Sequence, residues 1–181
     1  MIVGARSASW RIVRDLALRL PAMVLPSWAK TRSCPIGIDD VVAALLAALT
    51  VPVQASEVFD IPGPEVLAVG DILSRVAALR GRRLVAIRAP VGAPQVSSLW
   101  LKLVSDADWE VVRELVLGLE SDLLPRDDRY WALAGLPPRA SFDEAARRAL
   151  AADTPGPGLR GAVMALEEAL VGRLAARRQS P

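Results

Sequence analysis

The sequence predicts a helix-rich α/β chain, with a few short strands alternating with helices up to about residue 95 and a helical tail after that. Three observations predict it. Short apolar runs bounded by Gly or Pro lead into longer runs with apolar residues three and four apart; this grammar recurs along the first half; and strand signals stop from Gln95 onward. We divide the chain accordingly into 1–95, which carries the strands, and 96–181, a helical tail packing on it.

Residues 1–5, Met-Ile-Val-Gly-Ala, read as the end of an apolar strand. Ser7-Ala-Ser-Trp10 opens an amphipathic helix with Trp10, Val13, Leu16, Ala17 and Leu20 along one face. Pro21 and Pro26 end it and bracket the apolar segment Ala22–Leu25. Pro35–Ile38 has room only for a strand, and it runs straight into a helix. That helix carries Val41, Val42, Leu45, Leu46 and Leu49 on one side and Ala43, Ala44, Ala47 and Ala48 on the other, so it is expected to be buried on more than one side.

Asp39 and Asp40 stand at the seam between strand and helix. Two readings compete: Asp39 as N-cap with Asp40 favoured by the helix dipole, or a carboxylate pair for acid–base work. Neighbours in sequence at a helix start do not face one another, so capping is preferred.

The grammar then repeats. Glu57–Ile61 reads as a strand, Pro62-Gly-Pro-Glu65 as a turn, and Val69, Ile72, Leu73, Val76 and Leu79 as the core face of a helix that Gly81 closes in a left-handed cap. Leu84–Ile87 is the next strand. In the tail, Ser97–Val104 is a short apolar helix, and Ser105-x-x-Asp108 opens another with Trp109, Val112, Leu115, Val116 and Leu119 inside. Leu124–Arg139 reads as a loop with Asp127, Asp128 and Arg129 solvated. Ser141-x-x-Glu144 is a cleaner capping box for a helix over Phe142–Ala152. Beyond the turn Asp153–Gly158, the stripe Leu159, Val163, Leu166, Leu170 and Leu174 suits a partner helix, a membrane surface or, preferably, its own domain.

Composition removes several functions. A chain of 181 residues can bury roughly 70% of its unfolded surface. The longest charge-free stretch, Val41–Ser56, contains Pro52 and is too short to span a membrane, and no secretory signal opens the chain, so a cytoplasmic protein is expected. One cysteine, Cys34, and no histidine exclude an internal disulfide, a cysteine zinc cluster and histidine base chemistry. Twenty of the 22 cations are Arg, but they are spread among acids without interleaved aromatics, so no nucleic-acid partner is expected.

Three segments, GARSASW at 4–10, PIGIDDVVAALLAAL at 35–49 and VFDIPGPEVLAVGDILSRVAALRGRRL at 58–84, resemble in order and spacing the carboxyl-terminal half of the extended and atypical short-chain dehydrogenase/reductases. That group contains the NAD(P)-binding nucleoside-diphosphate-sugar epimerases. The resemblance implies a partial Rossmann-like portion in which Ile2-Val3-Gly4 emerges near the nicotinamide end of a cofactor. Ala5–Trp10 and Pro26–Arg32 would then border a substrate cleft, with Ser7, Ser9, Trp10, Trp28 and Arg32 as candidate substrate-binding residues. Each has a structural alternative: the tryptophans as core, the serines as caps, Arg32 as a surface charge. The resemblance also makes the Asp39 step structural, and it marks Leu67-Ala68-Val69 as lacking the group's usual Ser or Thr cap.

The departures from the group bear on chemistry. A dinucleotide needs a Gly-rich turn directly after a strand, whose N–H groups hold the pyrophosphate. Gly4, Gly37, Gly63 and Gly70 are isolated, and the one G-x-G-x-x-G spelling, Gly156-Pro-Gly-Leu-Arg-Gly161, comes after a helix and begins within the turn Asp153–Gly158 instead. The group's active members pair a Tyr with a Lys four residues on; Tyr130 is the only tyrosine and Ala134 follows it at that spacing. Hence no catalytic, cofactor-binding or metal residue is assigned, and no cofactor is expected for this chain alone, although the group uses NAD or NADP. Met1 reads as a start inside a longer ancestral protein, with strand edges and apolar helix faces left uncovered if the earlier strands are missing.

Two functions follow. The first is the substrate-side half of a truncated NAD(P)-dependent oxidoreductase or epimerase, taking a small-molecule substrate and not catalytic alone. The second is a non-enzymatic module that oligomerises with itself or docks on a separate Rossmann half through apolar helices. Whether the chain is an enzyme stays open between them.

Overall fold

The structure, a computed structural model, describes residues 1–19, 22–25, 27–53, 56–88 and 121–153. In chain order these form β1 (Ile2–Val3), α1 (Ala8–Arg19), β2 (Ala22–Leu25), a 3-10 turn (Ser27–Lys30), β3 (Arg32–Ser33), β4 (Ile36–Gly37), α2 (Ile38–Ala47), β5 (Leu67–Ala68), α3 (Val69–Leu79), β6 (Val85–Arg88), α4 (Arg129–Leu133) and α5 (Phe142–Ala152). The helices expected at 97–104 and 105–119, and the stripe over 159–174, lie outside the described residues.

The strands pair two by two. β1 and β4 are parallel with Ile2 opposite Ile36 and Val3 opposite Gly37, β2 and β6 are parallel from Ala22–Val85 to Leu25–Arg88, and β3 and β5 are antiparallel. Parallel pairing with an intervening helix is the expected α/β arrangement. Ala22–Leu25, an apolar segment in the sequence reading, proves to be a strand because it lies beside β6. Glu57–Ile61, expected as a strand, is not one. Side chains anchor that segment instead: Phe59 packs on Tyr130 with ring centres 5.2 Å apart, and Asp60 accepts the Arg126 N–H at 2.8 Å.

Helices α1, α3 and α5 close over β1 to form the main core. Trp10, Leu73, Val76 and Ala146 are completely buried there, beside Phe142, Leu16 and Ile72. Within it Asp15 is buried and accepts from its neighbour, Arg14 Nε donating to its Oδ1 at 2.8 Å. Arg14 also bonds Asp153, tying α1 to the end of α5. A second cluster joins β4 and α2 to α4 through Ile36, Val41, Ala44, Tyr130 and Trp131.

The helix ends show which local signals decide. Ser141 caps α5 as its sequence suggests, accepting the Glu144 N–H at 3.3 Å, and α3 ends at Gly81 with φ +67°. Helix α3 begins at Ala68 with no side-chain cap, and its first N–H, from Val69, donates instead to the Thr31 carbonyl at 3.0 Å. Asp39 is not the cap of α2. Gly37 holds that position in extended conformation, so Asp39 and Asp40 sit inside the first turn, where the helix dipole still favours them. Nor is α2 buried on several sides: Val41 and Ala44 are covered while Leu45 and Leu46 are 62% exposed. The expected loop 124–139 holds the one-turn helix α4, closed by the Leu136 N–H donating to Trp131 O at 3.1 Å. Among the described residues no helix is long and apolar enough to cross a membrane.

Candidate functional site

Because β1 and β4 run parallel, their carboxyl ends lie side by side and release the chain at Gly4 and at Ile38. In open α/β sheets the crevice outside such strand ends is where ligands are taken. A cavity of about 190 Å³ opens there, between Val3-Gly4-Ala5, the first turn of α2 and the α5 face bearing Ala145, Arg148 and Ala149.

Its polar groups are few and tied to neighbours. Asp40 accepts the Ala140 N–H at 3.2 Å; burial pushes its carboxyl up from the ordinary range, with that N–H pulling the other way. Asp39, exposed at the mouth, takes a bond from Arg148 at 3.3 Å. Arg148 also pairs with Glu144 at 2.5 Å, and Glu144, then Asp39, hold its guanidinium firmly charged. The cleft thus offers carboxylate acceptors for hydroxyl or amino donors beside a single cation. Among the described residues it holds no nucleophile with an adjacent base, and no group of three or more metal-ligating side chains occurs.

The five sequence candidates lie elsewhere. Ser7 N-caps α1, its Oγ accepting the Trp10 N–H at 3.5 Å and meeting Ser9 Oγ at 3.0 Å. Trp10 is 0% exposed in the main core. Trp28 lies in the 3-10 turn Ser27–Lys30. Arg32 is exposed and grips Asp122, whose carboxylate accepts its backbone N–H at 2.7 Å and its guanidinium at 2.7 and 2.9 Å. The structure brings Ser7 and Ser9 together, and Ser7, Ser9, Trp10 and Arg32 do not line the cavity; of the segment Ala5–Trp10, expected as a loop, Ala5 does, while Ala8–Trp10 form the first turn of α1. Sequence reasoning missed Arg148 and the cleft-facing place of Asp40. Local signals could not supply them, since Arg148 meets Asp39 across 109 residues and Ala140 meets Asp40 across 100.

The only tyrosine is committed to structure. Tyr130 is 4% exposed, and its hydroxyl donates to the Ala44 carbonyl at 2.7 Å.

No protein-family model and no curated protein matches the sequence. Among solved structures, RMD from Pseudomonas aeruginosa complexed with NADPH is similar over 84% of this chain and 44% of that one, at a TM-score of 0.55 and 14% identity. UDP-glucuronic acid 4-epimerase from Bacillus cereus, complexed with UDP-glucuronic acid and NAD, is similar over 82% of this chain and 41% of that one, at 0.53 and 15%. The chain has part of their fold. It spans less than half the length of either. The second is by name an epimerase of UDP-glucuronic acid.

Proposed function

We propose that these 181 residues carry the substrate-side half of an NAD(P)-dependent oxidoreductase or epimerase of the short-chain dehydrogenase/reductase type, and do not catalyse alone. The observation that carries the reading is lopsided coverage: more than four fifths of this chain falls on less than half of two proteins, one complexed with NADPH and one with NAD. No Gly-rich turn directly follows a strand pattern in this sequence, and the one G-x-G-x-x-G spelling, Gly156–Gly161, comes after helix α5. Gly4, Gly37, Gly63 and Gly70 are isolated, and the 190 Å³ cleft falls short of the roughly 300–1,000 Å³ that larger ligands occupy. Asp39 and Asp40 at its mouth would moreover repel a pyrophosphate. Tyr130 has spent its phenol on Ala44.

In this reading the cleft holds one polar end of a small substrate. Asp39 and Asp40 accept from its hydroxyl groups, and Arg148 offers a guanidinium for an anionic oxygen. Ala5 borders it, with Ser7 at the cap of α1 and Ser9 in its first turn. Nicotinamide chemistry belongs to the completed fold, and a single free Cys34 suits a cytoplasmic setting. Isothermal titration of the purified chain with oxidised and reduced NAD and NADP is expected to give no binding heat. Saturable binding at micromolar cofactor would overturn the proposal.

A further inference from the structure

The walls of the cleft between β1, α2 and α5 are built from small apolar residues. Val3, Ala145 and Ala149 are buried at its base, and Gly4, Ala5 and Ala152 continue the lining. An apolar cavity of about 150 Å³ admits a single six-membered ring. The 190 Å³ here therefore suit one compact group of that size.

Against that lining rests a carboxylate without a counter-ion. A Cβ added at Gly37 would meet Asp40 Oδ2 and Ala145 Cβ, each at 3.2 Å, so the bare glycine leaves the Asp40 carboxylate room to lie in the cleft. Among the described residues Asp40 makes no ion pair, and its hydrogen bond is the one from the Ala140 N–H at 3.2 Å. The cations around it are committed elsewhere. Arg148 is taken by Glu144 at 2.5 Å and by Asp39 at 3.3 Å, and Arg139 donates to Asp128 at 3.0 Å and to the Pro62 carbonyl at 3.2 Å. Three carboxylates, Asp39, Asp40 and Glu144, thus meet the one guanidinium of Arg148 at the mouth, which leaves negative charge in excess. Burial of Asp40 disfavours its charged form, and a cation brought to it restores what burial removes.

We infer that the cleft selects a small primary ammonium group carried on a compact apolar body, with Asp40 as the anchoring acceptor. This rests on the function proposed above and deepens it, by naming the charge on the polar end of the substrate. An ammonium brings three donors and no acceptor, which matches a rim of ionised carboxylates, while its alkyl part covers Ala145 and Ala149. A hydroxyl brings one donor and no charge to the same acceptors. A carboxylate meets like charge and is left with an Arg148 already engaged.

The alanine methyls of the lining supply the readout. The chain, carrying carbon-13 at its alanine methyls, is titrated at about pH 7 with cyclohexylamine, cyclohexanol and cyclohexanecarboxylate, three probes of one shape whose polar ends differ in charge; the amine is protonated there. Ala5→Ser and Ala152→Ser assign the two reporter signals. Those signals are expected to shift saturably with the amine, at a Kd about tenfold below that of either other probe, as one charge-assisted bond provides. Asp40→Asn should abolish the preference, whereas Asp39→Asn, which removes an exposed carboxylate already held by Arg148, should weaken amine binding by less than about threefold. The comparison of the three probes needs no substitution, so it decides the matter even where Asp40→Asn does not fold. An amine bound no more tightly than the alcohol, a preferred carboxylate, no shift with any probe, or equal losses from the two Asn variants overturns the inference. Each of these outcomes sinks the ammonium selectivity alone; cofactor binding by the isolated chain sinks the functional reading instead.

Discussion

Gly63 offers a sharp test of how the strand leading to the cleft is held. It is buried in the Pro62-Gly63-Pro64 turn, and a Cβ added there would lie 1.6 Å from the Pro35 carbonyl oxygen and 2.5 Å from its carbon. Both contacts are backbone, so no side chain can swing aside. Restoring an ordinary separation requires the turn and Pro35 to part by roughly 2 Å. That displacement breaks the bond from the Gly63 N–H to Cys34 O, now 3.3 Å, and shifts Ile36, which is 5% exposed and pairs with Ile2. A lost bond that strands a buried backbone group costs about 1–3 kcal/mol, and a disturbed core residue adds a comparable amount. Gly63→Ala should therefore lose about 3–4 kcal/mol, which for a chain of this size lowers the melting midpoint by about 10 °C. Thermal and urea unfolding followed by circular dichroism measure both. A midpoint within about 2 °C of the parent would refute the packing argument, since that corresponds to less than 1 kcal/mol.

Three further outcomes follow from the polar contacts. Glu65 accepts the Phe142 N–H at 2.8 Å and Arg75 at 2.6 Å, and the Arg75 bond holds its carboxyl below the ordinary value of 4.5. A depressed carboxyl stabilises fully above its unfolded pKa and loses that contribution as pH falls through the folded one, so Glu65→Gln should flatten the decline in urea stability between about pH 5 and pH 3; slopes equal to the parent's would contradict this. Ser141→Ala should cost about 1 kcal/mol for the lost cap. Asp39→Ala, which removes no cap, should cost less, with a difference from the parent that shrinks in concentrated salt; equal, salt-independent losses for the two would restore Asp39 as a cap.

Elements that state their own boundaries were legible in the sequence. Ser141-x-x-Glu144 gives α5 its start, Gly81 gives α3 its end, and the apolar runs around Ile2 and Ile36 give β1 and β4. What escaped was settled by partners distant in sequence. Val58 is 85% exposed while Phe59 is drawn onto Tyr130 and Asp60 onto the Arg126 N–H, so a run that looks strand-like is held by its side chains and joins no sheet. Helix α4 hides among Pro125, Gly135 and Pro137 because one turn of helix is too short for periodicity to register. At the seam of β4 and α2 the step from strand to helix was legible, but Gly37 holds the cap position with its backbone alone, so the helix starts at Ile38, before the acid expected to cap it. The cleft itself was only half visible: the strand ends announce it, whereas Arg148 reaches it from an element over a hundred residues away.

The bond from Tyr130 to Ala44 has a consequence for anyone hoping to install redox activity here. Writing a lysine at position 134 would recreate a familiar spelling around the one phenol, yet that phenol is sealed from solvent and already gives its proton to a helix carbonyl. The substitution would insert a cation at the edge of an aromatic cluster and deliver no exchangeable proton to any substrate. Spelling alone makes no acid here; accessibility does.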